Sequence, residues 1–132
     1  TPEGLAGKII GVQVSTIQEA YVQAHFPDAE LKSYQTSDES YQDLAAGRID
    51  AVVADSIVVG DFLKTETGAC CENVGNVADD PAILGRGVGF GLRKGDPLKE
   101  TLNKAIAQVR ADGEYDAITK KYFPFDIYGP AN

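Results

Sequence analysis

The stretch "GVQVSTIQEAY", residues 11–21, joins a predicted strand to a predicted helix. Small and apolar side chains alternate at its start, and Ser15 and Thr16 follow them. Hydroxyl residues at the start of a helix are favoured as N-caps. The pair therefore either only caps the helix or also holds a ligand, and the order of the neighbouring segments bears on that choice.

The strand-to-helix pattern occurs three times in the first half of the chain. Predicted strands cover 8–14, 29–34 and 50–54, and predicted helices cover 16–26, 38–46 and 56–64. This alternation is typical of a parallel sheet with crossover helices. The run "DAVVA" at 50–54 is apolar after its first residue, which predicts a central strand covered on both faces. The predicted fold class is α/β, with a mainly parallel sheet flanked by helices.

The second half of the chain has a different pattern. Residues 65–86 are rich in Gly, Asn and Asp, with one predicted strand at 73–77, and "GVGFGLRKGDP" predicts a Gly-rich strand that ends in a turn. The predicted helix at 97–110 has Asp96 as its cap and is followed by another helix at 114–122. The first of these helices carries an apolar stripe of Leu98, Leu102, Ala105, Ile106 and Val109.

Composition excludes several classes of protein. The 132 residues contain 43% hydrophobic residues, enough for one compact core by length alone. Twelve Lys and Arg against 20 Asp and Glu give a net charge of -8, which disfavours nucleic acid and anionic membranes as partners. No apolar run approaches the roughly 20 residues that span a bilayer, and the start "TPEGLAGK" lacks the features of a signal peptide.

The only two cysteines, Cys70 and Cys71, are adjacent. Neighbouring Cα atoms lie about 3.8 Å apart, below the usual range for a disulfide, so two free thiols and a strained vicinal bridge both remain open. The only histidine, His25, is distant in sequence, and there is no CxxC spacing. We therefore expect no metal and no cofactor.

Polar residues follow two of the predicted strands, where ligands bind in open parallel sheets. Ser15 and Thr16 stand before a helix whose first N–H groups suit a carboxylate, and Asp55 follows "DAVVA" and suits an ammonium group. Together they match the main-chain end of an α-amino acid. Simple N-capping is the alternative for all three residues, and both roles can hold at once.

Catalytic motifs are sparse. There is no supported Ser-His-Asp order and no P-loop, and "GRGVGFG" lacks the flanking strand and helix of a dinucleotide site. The sequence predicts a binding protein and not an enzyme.

Three segments in order carry a family resemblance: "LAGKIIGVQVSTIQEAY" at 5–21, "LAAGRIDAVVAD" at 44–55 and the stretch from "GVGFGLRKGDP" to "YDAITKKYFPFDIYG" at 87–129. The chain resembles the second half of periplasmic amino-acid-binding proteins of bacterial ABC importers, in the lysine-arginine-ornithine, histidine and opine-binding branch. The resemblance implies a type II periplasmic-binding-protein fold, a periplasmic location, a polar and in particular basic amino acid or opine as ligand, and delivery to ABC permease subunits.

The resemblance also implies roles for individual residues. Thr16 and its neighbours would meet the ligand α-carboxylate, partly through backbone N–H groups, and Asp55 would pair with the α-ammonium. Ser15 replaces the glycine of the family pattern Gly-Thr-Thr or Gly-Ser-Thr, and Ile17 replaces its last hydroxyl residue. Gln18 matches a family glutamine that reaches the ligand side chain.

The resemblance implies a division of the chain as well. Residues 5–86 would form the second ligand-binding lobe, 87–95 a hinge or crossover strand, and 96–132 a helical segment that belongs to the first lobe. We expect a truncated protein that lacks the rest of the first lobe and binds its ligand weakly or not at all. The apolar surface left exposed would be covered by local rearrangement, by self-association with a partner copy, or by the missing segment on another chain.

Two other functions share this fold. A periplasmic dehydratase acting on cyclic carboxylic acids would use Asp55 or Glu19 as an acid or base, but no paired carboxylates support it. The effector domain of a transcription regulator would require a helix-turn-helix segment, and the sequence has none.

Overall fold

The computed structural model describes residues 1–85, 87–123 and 127. The chain divides into two compact units, Thr1–Gly87 and Val88–Asn132. Of the motif "FPFDIYG" at 123–129, the structure describes only Phe123 and Ile127, and the other residues lie outside the described part.

The first unit is built on three parallel strands. They are β1 (Ile9–Gln13), β2 (Glu30–Tyr34) and β3 (Ala51–Val52), in the order β2-β1-β3. The helices between and after them are α1 (Ile17–His25), α2 (Ser37–Ala45) and α3 (Ser56–Phe62), and short 3₁₀ turns form at Glu3–Leu5 and Thr67–Cys70. The predicted α/β class is confirmed, and the predicted helices agree with the observed ones to within about two residues.

The core of this unit lies between β1 and α1. Ile10 and Val12 of β1 are fully buried because alternate residues of a strand share one face. Tyr21, Val22 and Phe26 of the α1 segment pack on them. Burial of side chains of this size stabilises the fold by about 1.5–3 kcal/mol each.

Gly11 lies on the opposite face of β1, where helix α2 approaches closely. A Cβ atom at Gly11 would lie 2.7 Å from Cδ1 of Ile49 and 3.3 Å from Cβ of Ser40. The absence of a side chain therefore lets the segment around α2 pack against the sheet.

The prediction of a central strand at "DAVVA" is wrong for the described residues. β3 covers only Ala51–Val52 and stands at the edge of the sheet, while β1 is central. The carboxylate of Asp50 accepts a hydrogen bond from the Ile9 N–H at 2.8 Å. At the start of the β1–β3 pairing, the Ile9 N–H therefore donates to a side chain. An apolar run predicts burial, but a central position also requires a second partner strand.

The predicted strands at 73–77 and within 87–95 are likewise not formed among the described residues. Both segments contain glycines with positive φ, at Gly75 (130°), Gly87 (104°) and Gly95 (83°). A strand exists only through its hydrogen-bonded partner, and glycine in a strand interior weakens it. These segments are irregular here because no neighbouring strand pairs with them.

The second unit contains α4 (Leu98–Ala111) and α5 (Glu114–Thr119), which contact each other. The carboxylate of Asp96 accepts a hydrogen bond from the Leu98 N–H at 2.9 Å, which confirms its predicted capping role. No described residue of this unit is buried, and the stripe residues Leu98 and Ile106 remain exposed. The apolar stripe of α4 is therefore only partly covered among the described residues of this unit: Leu102 and Val109 are half-buried, and no stripe residue is fully buried.

Candidate ligand-binding site

The carboxyl ends of β1 and β3 open into a cavity of about 110 Å³. Parallel strands place all their carboxyl ends at one edge of the sheet, and each end here leads into a helix. The lining consists of polar and apolar residues from all three helical connections: Gln13, Thr16, Gln18, Ser37, Ser40, Val52, Val53, Ala54, Asp55 and Val58. Of the predicted site residues, Thr16, Gln18 and Asp55 share this cavity.

Thr16 is the N-cap of α1, as its position in the sequence predicts. Its Oγ1 accepts a hydrogen bond from the Glu19 N–H at 3.2 Å and donates to the Gln13 carbonyl at 2.7 Å. The hydroxyl proton is therefore already used, and the oxygen can only accept further hydrogen bonds. The N–H groups of Ile17 and Gln18 belong to the first turn of α1, where the helix itself offers no acceptor.

Ser15 forms the corner between β1 and α1 and does not line the cavity. Its φ of 62° makes it the only non-glycine residue with positive φ in the described part of the chain. This left-handed conformation is one that glycine adopts readily. Serine takes this conformation with some strain because it carries a Cβ atom, and a glycine at this position would be free of that strain.

Glu19 holds this corner in place. Oε2 accepts from the Ser15 N–H at 2.7 Å, and Oε1 accepts from the Ser33 hydroxyl at 2.5 Å. The Ser33 hydrogen bond, and then that of Ser15, lower the pKa of Glu19, so it remains ionised at neutral pH. The hydrogen bonds of Glu19 fix the loop and leave it poorly suited to act as a free acid or base.

Asp55 is the N-cap of α3. Its Oδ1 accepts a hydrogen bond from the Ile57 N–H at 2.9 Å, which confirms the capping alternative. The residue is exposed, and it forms no salt bridge with any residue that the structure describes. The second carboxylate oxygen is therefore available to a cationic group in the cavity.

Three further polar residues of the lining escaped prediction. Gln13 is the last residue of β1; its Nε2 donates to the Gln35 carbonyl at 3.2 Å, and its Oε1 accepts from the Ser37 hydroxyl at 3.1 Å. Ser40 donates to the Ser37 carbonyl at 2.6 Å. Gln13 adjoins the predicted ligand-binding loop in the sequence, and this position could have identified it. Ser37 and Ser40 line the cavity because of how α2 packs, which the sequence alone does not show.

A second, more open groove of about 470 Å³ lies between α2 and α3. Its walls include Tyr41 and Phe62, whose rings stack with centroids 4.2 Å apart. The Tyr41 hydroxyl is buried and has no hydrogen-bond partner among the described residues. Burial raises the pKa of Tyr41, and the carboxylates of Asp38 and Asp55 raise it further. The negative charge of Asp55 therefore acts beyond the cavity that it lines, on the hydroxyl group of Tyr41.

His25 pairs with Asp80 at 2.8 Å and stacks on Tyr21, so it has a structural role. Within residues 1–85, 87–123 and 127, no three His, Cys, Asp or Glu side chains are placed to hold a metal ion together. Over the same residues, no helix has the length and apolarity required to cross a membrane.

The comparison with known proteins shows the class to which the chain belongs. The chain belongs to the bacterial extracellular solute-binding proteins, family 3, whose sequence profile matches residues 3–125. The resemblance stated from the sequence is therefore confirmed, as is the type II fold.

Two curated relatives illustrate this membership. The histidine-binding periplasmic protein of Escherichia coli (strain K12) is 45% identical over 98% of this chain and 51% of its own length. The L-arginine-binding protein of Pseudomonas aeruginosa is 43% identical over 95% of this chain and 50% of its own length. The chain thus spans about half the length of these relatives.

The fold is also similar to a crystal structure of an ancestral amino-acid-binding protein described as a precursor of cyclohexadienyl dehydratase. The TM-score is 0.70 at 28% identity, with 93% of this chain and 51% of that chain covered. Both curated relatives are named as binding proteins and not as enzymes.

Proposed function

We propose that this chain is part of the solute-binding component of an ABC importer, which captures a polar and in particular basic amino acid, or an opine, in the periplasm. The names of the relatives, histidine-binding and L-arginine-binding, support a ligand of this class. The observation that carries the proposal is the single cavity shared by Thr16, Gln18 and Asp55. Delivery to ABC permease subunits completes the proposed role.

The cavity and the start of α1 beside it would offer complementary partners to both ends of an amino acid's main chain. The α-carboxylate would accept hydrogen bonds from the N–H groups of Ile17 and Gln18 at the positive end of α1. The α-ammonium would pair with the free oxygen of Asp55. The Thr16 hydroxyl has already donated its proton, so we assign it the role of fixing the loop and of accepting from the ammonium group.

Ser15 and Gln18 have different proposed roles. Ser15 sets the backbone turn that aims the N–H groups, because its own side chain lies outside the cavity lining. Gln18 lines the cavity and would reach the ligand side chain. The proposed ligand-binding set is Ser15, Thr16, Ile17, Gln18 and Asp55.

We further propose that residues 5–86 form one ligand-binding lobe, that 87–95 form a hinge or crossover, and that 96–132 belong to the other lobe. The chain divides into two compact units between Gly87 and Val88, which supports the proposed boundary between the lobes. The lack of buried residues among those described after Gly87 also supports it. An α4 helix that normally packs on another part of the protein would leave Leu98 and Ile106 exposed. Sedimentation of this chain alone tests whether that face drives self-association.

A dehydratase acting on cyclic carboxylic acids is the second candidate, favoured by the ancestral structure described as a dehydratase precursor. The cavity lining contains one carboxylate, Asp55, and the nearby Glu19 is bound by Ser15 and Ser33. We propose binding without catalysis. Incubation with prephenate and arogenate tests this, because formation of an aromatic product would favour the enzyme.

Titration of this chain with L-arginine, L-lysine, L-histidine, octopine and nopaline tests the proposed ligand class. We expect roughly millimolar affinity, on the order of 4 kcal/mol, because one lobe supplies only part of the contacts. Agmatine is the matched control, since it keeps the guanidinium group of arginine and lacks the α-carboxylate. Agmatine binding as tight as that of L-arginine would contradict the proposed main-chain site. Micromolar binding of any ligand would contradict the proposed division into two lobes.

A further inference from the structure

The two cysteines lie at the end of the 3₁₀ turn Thr67–Cys70, apart from the cavity lining. Their Sγ atoms are 2.9 Å apart, with both thiols free. The bond length of a disulfide is about 2.05 Å, so the sulfurs are already close to bonding distance. Cys70 is exposed and Cys71 is partly buried, so reagents in solution can reach Cys70.

The backbone around the thiols is tightly held. The Cys71 N–H donates to the Gly68 carbonyl at 3.0 Å, and the Gly68 N–H donates to the Thr65 hydroxyl at 3.0 Å. A Cβ atom at Gly68 would lie 2.1 Å from the Phe62 carbonyl oxygen, so only glycine fits between this turn and the end of α3. The thiols therefore project from a segment whose conformation is fixed by the fold.

We propose that Cys70 and Cys71 form a redox modification site, which closes to a vicinal disulfide by exchange with a small-molecule disulfide. The chain contains no other cysteine to compete as a partner within the molecule. The proposal is independent of the amino-acid site.

Exchange proceeds in two steps through a mixed disulfide. The Cys70 thiolate attacks the small-molecule disulfide, forms a mixed disulfide and releases one thiolate, which takes up the Cys70 proton. The Cys71 thiolate then attacks the Cys70 sulfur, closes the ring and releases the second small thiolate, which takes up the Cys71 proton. Two protein thiols are oxidised by two electrons, and one small disulfide is reduced to two thiols.

The surroundings of Cys70 and Cys71 determine which thiol attacks the small-molecule disulfide first. Burial, and then the hydrogen bond with Cys70, raise the pKa of Cys71 to about 11, so few Cys71 side chains are thiolates at neutral pH. The exposed Cys70 is therefore the attacking thiol, and ring closure by Cys71 accelerates as the pH rises. The ring joins adjacent residues and is strained, which makes it easily reduced.

Oxidised glutathione is a suitable probe for the full chain, with acid quenching, intact mass and thiol counting as readouts. We expect both thiols to disappear together, with the loss of two hydrogens and no retained glutathione, and dithiothreitol to restore them. The Cys70→Ser and Cys71→Ser variants each retain one thiol and should stop with one bound glutathione. Circular dichroism verifies that both variants fold.

Denaturing urea provides a control that needs no variant. If the folded turn positions the thiols, ring closure should be at least about tenfold faster in the folded chain than in urea. Stable glutathione adducts on the wild-type chain, covalent dimers, two unreacted thiols, or equal closure rates in urea would each overturn the proposal.

Discussion

Thr16 and Asp55 cap two different helices and line one cavity at the same edge of the sheet. Their strands are parallel neighbours, paired through Ile10 with Ala51 and Gly11 with Val52, so the strand ends lie side by side. Each cap uses only part of the polar groups at its helix start. In the proposed site, the unused N–H groups at the start of α1 would face the ligand carboxylate, and the remaining carboxylate oxygen of Asp55 would face its ammonium group.

Replacement of Ser15 by glycine should stabilise the protein by up to about 1 kcal/mol, because a left-handed residue with a Cβ is strained. Urea unfolding measures the change. Ser15→Ala is the matched control, since it removes the hydroxyl and keeps the strained Cβ. Equal stabilities of the two variants would show that backbone strain at this corner is negligible.

Replacement of Tyr41 by phenylalanine should leave the free energy of unfolding unchanged or raise it by up to about 1 kcal/mol. The buried hydroxyl that is lost has no partner in the described part of the chain, and the stacked ring is kept. Tyr34→Phe is the matched control, because its hydroxyl donates to Asp43 at 2.6 Å, and it should destabilise the protein. A larger loss for Tyr41→Phe than for Tyr34→Phe would mean that the Tyr41 hydroxyl is hydrogen-bonded in solution.

The Asp43 carboxylate should make the free energy of unfolding depend on pH in the acidic range. Lys32, then Tyr34 and Arg48, donate hydrogen bonds that hold its pKa well below the usual 3.8. A carboxylate with a depressed folded pKa stabilises the fold above its unfolded pKa, and this contribution is lost as the pH falls toward the folded value. Asp43→Asn should therefore be less stable at pH 7 and lose less stability below about pH 4.

Thermal unfolding between pH 7 and pH 2 measures this difference. Asp61→Asn is the matched control, because it removes only an exposed pair with Lys64, in which both side chains are more than 60% exposed. If Asp43→Asn and Asp61→Asn show the same pH dependence, the Asp43 cluster has no special role in acid stability.

Local signals in the sequence account for what could be predicted. Thr16, Asp55 and Asp96 act within two or three residues of their own positions, so the residue type and the next apolar run were sufficient to place the caps. The strand-to-helix alternation was likewise sufficient for the parallel sheet, because such strands need crossover connections.

Features that depend on distant partners could not be read from the sequence. The run "DAVVA" has the apolar pattern of a central strand, but its position in the sheet depends on strands elsewhere. Ser37 and Ser40 reach the cavity only because Gly11 allows the segment around α2 to pack closely on β1. The close fit of Gly68 against Phe62, which precedes the two cysteines, likewise depends on tertiary packing.

The most direct test of the central claim is a residue-resolved NMR titration of the ¹⁵N-labelled chain with L-arginine at millimolar concentrations. We expect the largest shifts at the amides of Ile17 and Gln18 and around Asp55. Asp55→Asn should abolish them, and Asp61→Asn should leave them unchanged. An absence of shifts at the Thr16 loop, or shifts that persist in Asp55→Asn, would contradict the assignment of this cavity to the main chain of an amino acid.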